Sequence, residues 1–113
     1  MTGIRGAIAE VSNTSDEIID SSKDLFIQLL ERNNLDITKI TSVIFTVTHD
    51  LTEAFPAKAI RELGYTSIAA IDTLAPNIVN DLNGCIRVLV HYDEDIVPDH
   101  VYLGKAKNLR PDR

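Results

Sequence analysis

The chain has 113 residues, 44% of them hydrophobic, and a formal net charge of −6. That length makes one domain, spanning 1–113, with a core modest enough that oligomerisation is a plausible source of extra buried area. The acidic balance and the lack of a basic face argue against a nucleic-acid partner, and no run approaches the ~20 apolar residues of a membrane span.

Residues 4–11 read as a first strand, an apolar run interrupted by Arg5. Thr14-Ser15-Asp16-Glu17 is a capping-box pattern. It predicts a helix to about Arg32, carrying Ile18, Ile19, Leu25, Phe26, Leu29 and Leu30 at spacings of three and four and ended by Asn33-Asn34. Residues 35–40 form a connection with a turn near Asp36, and the β-branched stretch 41–48 predicts a second strand. A turn at 49–52 leads to a second helix over about 53–63, with Pro56 in its first turn and Gly64 as its stop. Residues 66–71 predict a third strand, and 72–83 show little periodicity. Residues 85–92 and 101–109 predict the fourth and fifth strands, separated by an acidic loop at 93–95. This order of strands and helices gives an α+β domain, a mixed β-sheet with two helices.

Cys85 is the only cysteine, so no intrachain disulfide forms, and core packing is the ordinary role for its thiol. Arg5 and Glu10 leave no apolar segment of the secretory kind near the start, so a cytoplasmic location is expected. His49, His91 and His100 are scattered and read as surface or strand residues. No zinc spacing, phosphate loop, G-x-S-x-G elbow or Cys/His pair occurs, so neither metal nor cofactor is expected.

The arginines are the anomaly. Arg87 lies within Cys85-Ile86-Arg87-Val88-Leu89-Val90-His91-Tyr92, otherwise a buried strand, on one face with Cys85, Leu89 and His91. A guanidinium keeps its charge, and burying it without an anion costs several kcal/mol. Either a carboxylate of the protein meets it or a ligand does, and the nearby sequence offers no obvious internal partner. Lys58 and Arg61 lie three apart on one side of the second helix. Four of the six arginines, Arg5, Arg61, Arg87 and Arg110, fall in such segments. In an acidic chain that pattern suggests a local cationic pocket for a small anion.

Ile4-Arg5-Gly6-Ala7, the Phe55 to Leu63 segment, Cys85-Ile86-Arg87, His100-Val101-Tyr102-Leu103 and Leu109-Arg110-Pro111-Asp112 occur in an order that resembles the small trimeric chorismate mutases. The resemblance spans essentially the whole chain. It implies a trimeric pseudo-α/β-barrel, sites between subunits, and rearrangement of chorismate to prephenate. In that reaction an ether C–O bond breaks as a C–C bond forms, with no proton transfer and no nucleophile. Catalysis then rests on holding the compact substrate conformer and placing positive charge where the ether oxygen becomes negative.

The resemblance also assigns residues. Arg87 matches the catalytic arginine at the ether oxygen, Arg5 an arginine that binds a substrate carboxylate, and Tyr102 a tyrosine that donates to a carboxylate. Phe55, Ala57, Lys58 and Arg61 match residues lining the pocket from the neighbouring subunit, and Leu109 and Arg110 match a segment that closes over it. Structural alternatives remain for each: a cross-strand pair for Arg87, a strand-edge charge for Arg5, core packing for Tyr102, and solvated charges for Lys58, Arg61 and Arg110. The chain departs from the family at one important position. The family's glutamate or glutamine, which accepts from the ring hydroxyl of chorismate, falls at Ala75, and no Glu or Gln occurs between Leu63 and Asp93. Asp72 falls at a pocket position and is either a substitute acceptor or a turn-forming aspartate. Members of the family often continue beyond the last motif into a mobile tail, and a shorter tail is expected to weaken closure without abolishing the pocket. An impaired chorismate mutase is therefore expected, the alternative being a non-catalytic protein that binds chorismate-like dicarboxylates.

Overall fold

The computed structural model describes residues 1–108, in the order β1 (Thr2–Ala9), α1 (Ser15–Asn33), β2 (Ile40–Val47), α2 (Lys58–Glu62), β3 (Ala69–Leu74), β4 (Ile86–Tyr92) and β5 (Val101–Gly104). Two short 3-10 turns, Ile37–Lys39 and Lys105–Asn108, complete it. The five strands form one mixed sheet in the order β3-β2-β4-β1-β5. β4 runs antiparallel to both β1 and β2, while β3 and β5 run parallel to their neighbours β2 and β1.

The long helix follows its sequence signals. The Glu17 N–H donates to the Thr14 hydroxyl oxygen at 3.1 Å, satisfying one of the donors a helix leaves open at its start. Asn34 ends the helix at φ 49, and the Leu35 N–H reaches back to the Leu30 carbonyl at 3.0 Å, the wrap that closes many helices. Between these ends, Ile18, Ile19, Ser22, Leu25, Phe26 and Leu29 are buried. Gly6 sets how closely the helix approaches the sheet. A Cβ there would lie 3.0 Å from Leu25 and 3.2 Å from Leu29.

Side chains alternate along each strand, so the sheet has two unlike faces. Ile4, Val43, Phe45, Ile86, Val88, Val90 and Tyr92 form the core with α1 and α2. The opposite face carries Ile71, Ile44, Leu89 and Arg5 in one cross-strand row, and Thr73, Thr46, Arg87, Ala7 and Tyr102 in the next. One end of that face is covered by a smaller cluster of Ala7, Ala9, Cys85 and Ala106, with Leu82 and Tyr102 against it. The rest is open, and Ile71 is 61% exposed.

Several boundaries differ from the sequence expectation. The second helix is five residues, not about eleven. Asn13 holds the chain before it, accepting from the Thr52 and Glu53 N–H groups at 2.8 and 3.2 Å, and Pro56 disfavours a helical Phe55. β3 starts at Ala69 because residues 65–68 turn, with the Ile68 N–H bonded to the Tyr65 carbonyl. It continues through Leu74, inside the stretch with no clear period. β1 ends at Ala9, where Glu10 adopts φ 59, and β5 ends at Gly104, φ 56, not at residue 109.

Candidate active site

Ala7 organises one half of the site. It pairs with Arg87 across the antiparallel β1–β4 ladder and with Tyr102 across the parallel β1–β5 ladder. Residues in register share a face, so Arg87 and Tyr102 flank one methyl group. Arg5 sits two residues earlier on the same face, opposite Leu89. Three adjacent strands thus bring two guanidinium groups and a phenol to one half-buried wall. The Arg5 N–H donates to His100 Nδ1 at 3.0 Å, which fixes the approach to β5. Arg5 and Arg87 offer planar donor forks and Tyr102 a phenol, a set that suits a carboxylate-bearing ligand.

Arg87 is neither fully buried nor unpaired, which corrects the expectation from sequence. Its Nη2 lies 3.5 Å from Asp81 Oδ2, with the two side chains 26% and 24% exposed. Sequence reasoning missed Asp81, whose only signal was an acid six residues before the arginine in a stretch without periodicity. The loop that carries it is tied down at its far end. The Gly84 N–H donates to Asp50 Oδ2 at 2.8 Å and the Cys85 N–H to the Thr48 hydroxyl oxygen at 3.0 Å. Burial raises the Asp50 carboxyl, but hydrogen bonds from Thr48 and the Gly84 N–H outweigh it and hold the group below its ordinary range. Gly84 itself has φ +59, and a Cβ there would meet the Val11 carbonyl oxygen at 2.4 Å. Only glycine fits that turn.

The second half lies at the other side of the sheet. Phe55, Lys58, Asp72 and Leu74 help line a cavity of about 470 Å³, while Ala57 is buried beside it and Arg61 is exposed on α2. Phe55 is 69% exposed, unusual for an aromatic side chain. Lys58 pairs with Glu62 at 3.7 Å, and Glu62 also meets Lys23 at 3.0 Å. Asp72 Oδ1 accepts from the Ala57 N–H at 2.9 Å. Burial pushes its carboxyl up, against the Ala57 N–H and the Arg61 charge, which lower it.

Register separates the two halves. Asp72 pairs with Phe45 of the core face, whereas Arg87 pairs with Thr46 of the open face. Asp72 therefore points away from Arg87 of its own chain. Ala75 follows β3 directly, is 6% exposed, and donates its N–H to the Val47 carbonyl at 2.9 Å. Leu109 and Arg110 lie outside the described residues. Among the described residues, no group of three or more His, Cys, Asp and Glu could hold a metal ion, and no helix is long and apolar enough to cross a membrane.

The chain is similar to known proteins over nearly its whole length. The pattern of the family described as chorismate mutase type I matches residues 1–113. Chorismate mutase AroH of Thermus thermophilus is 39% identical over 114 aligned positions, covering 97% of this chain and 93% of that protein. Chorismate mutase AroH of Bacillus subtilis (strain 168) is 35% identical, covering 97% and 90%. A solved structure of chorismate mutase from Clostridium thermocellum superimposes with a TM-score of 0.91 at 41% identity, over 95% of this chain and 98% of that one.

Proposed function

The chain belongs to the type I chorismate mutases, and on that footing we propose that it rearranges chorismate to prephenate in sites shared between the subunits of a homotrimer. The observation that carries the reading is the wall of half-buried Arg5, Arg87 and Tyr102 on one sheet face. Arg87 places positive charge where the breaking ether bond leaves its electrons on oxygen. Arg5, with its planar fork, and Tyr102 take the substrate carboxylates and hold the compact conformer. The stabilising charge is in place before the reaction begins, so no reorganisation is needed during bond exchange.

Two features support sharing between subunits. Within one chain the Phe55 to Arg61 segment, tied to the core-face Asp72 through the Ala57 N–H, and the arginine wall belong to opposite faces of the sheet. Ile71 and Phe55 are large apolar side chains left exposed, as expected where a second copy covers them. In a ring, Phe55, Lys58 and Arg61 of one subunit close over Arg5, Arg87 and Tyr102 of the next. Asp72, engaged by the first turn of α2, then shapes the neighbour's half of the pocket.

Ala75 stands where the family's hydroxyl acceptor falls, so the enzyme works without that hydrogen bond. A lost bond of this kind is worth roughly 0.5–1.5 kcal/mol, less than the ~10²–10³ in rate associated with an oxyanion donor. The larger contribution is retained, and activity is reduced, not lost. Ala75→Glu is expected to raise kcat/KM for chorismate about tenfold, or ~1.4 kcal/mol, while lowering Tm because position 75 is buried. Steady-state kinetics check it, and a substrate analogue lacking the ring hydroxyl should gain nothing. A neutral or harmful effect in a folded variant would remove Ala75 from the hydroxyl's neighbourhood.

A further inference from the structure

The loop between β3 and β4 is held at several points, and those ties aim one carboxylate. Its last residues are bonded to β1's end, through the Glu10 N–H to the Asn83 carbonyl at 3.2 Å and the Val11 N–H to the Gly84 carbonyl at 2.9 Å. Asp50 and Thr48 hold the same residues from the end of β2. Asn80, at φ 66, turns the chain, and the Asp81 N–H closes the turn onto the Ile78 carbonyl at 3.3 Å. Asp81 Oδ1 then accepts from the Leu82 N–H at 2.9 Å. Its second oxygen, Oδ2, faces Arg87 at 3.5 Å.

We infer that Asp81 is the positioning residue for Arg87, holding the guanidinium in line for the ether oxygen before substrate arrives; the assignment rests on the mutase reading above. An arginine side chain has large rotamer freedom, and an unheld one would have to be ordered during the reaction. The spacing matters as much as the contact. A charge-assisted hydrogen bond measures about 2.7–2.9 Å, and this pair is wider. Asp81 orients the fork through its field and leaves the five N–H donors of Arg87 for the substrate.

The arrangement has two opposite kinetic effects. Orientation raises kcat. A fixed negative charge beside the site also repels a dianionic substrate and raises KM. Asp81→Asn separates them cleanly. Its Oδ1 keeps the Leu82 N–H bond, so its amide NH₂ faces the guanidinium and cannot accept from it. We expect kcat for chorismate to fall about tenfold and KM to fall about threefold, with Tm unchanged. Asp81→Glu restores the carboxylate on a side chain one methylene longer, which must fold into another rotamer to keep a comparable spacing from Arg87. It should keep kcat within about threefold of the parent.

The outcomes are distinct. A parent protein without chorismate turnover overturns the mutase reading and this assignment with it. An active parent whose Asp81→Asn variant keeps kcat within about twofold leaves the mutase reading standing and overturns the role of Asp81. A fall in kcat at constant KM that glutamate does not rescue marks a purely structural loop residue and overturns it as well. A lower kcat with a lower KM, rescued by glutamate, supports it.

Discussion

Arg87→Ala is expected to lower kcat for chorismate by about 10²–10³ with the fold intact. Arg87 lies on the open face of β4, while the core of that strand is built by Ile86, Val88, Val90 and Tyr92. Truncating it leaves those contacts alone. Its partner Asp81 is partly solvated, so losing the pair should change stability little. On the proposed mechanism the rate, by contrast, depends on the cation placed for the ether oxygen. Arg87→Lys should recover little, because a point charge on a flexible stem cannot reproduce a planar fork held from one side. Turnover is read against thermal melting of the same preparations. Unchanged kcat in a folded Arg87→Ala variant would falsify the catalytic assignment.

Mixing two disabled variants is expected to create activity. Arg61→Ala and Arg87→Ala each remove one side of a shared site. In a ring, each site takes Arg87 from one subunit and Arg61 from its neighbour, a head-to-tail interface. After subunit exchange in an equal mixture, about a quarter of the sites receive both intact residues by random assortment. Activity should rise from the level of either variant alone to about a quarter of the parent value. Recovery should follow the exchange rate and require both variants. Sedimentation of the parent as a trimer is the companion measurement. An active monomer, or a mixture no better than its components, would rule out sharing.

Parts of the fold and of the candidate site were legible in the sequence, for reasons that differ by residue. The capping box at Thr14 and the spacing of Ile18, Leu25, Phe26 and Leu29 specify α1 locally, and the helix formed within a residue of the expected ends. Alternation placed Arg87, Leu89 and His91 on one face of β4, and the structure agrees. The grouping of Arg5, Arg87 and Tyr102 was not readable from spacing, since it depends on β1 lying between β4 and β5. It came from the family resemblance. Other features depend on tertiary ties that leave no periodic trace. Asn13 shortens the second helix by bonding Thr52 and Glu53. Asp50 and Thr48 hold the loop of Asp81. An aspartate among asparagines and a proline reads as turn chemistry, so its ion pair with Arg87 emerged only in three dimensions. Asp72 was readable as a pocket residue but not as one facing away from Arg87 of its own chain, which β2–β3 register decides.

The most direct test of the account is proton NMR of chorismate incubated with the purified protein in deuterium oxide. The account predicts disappearance of chorismate with stoichiometric appearance of prephenate, far faster than without protein, and no solvent deuterium in the product, because no proton is exchanged in the rearrangement. Binding of chorismate with no acceleration, or loss of chorismate to any product other than prephenate, would contradict it.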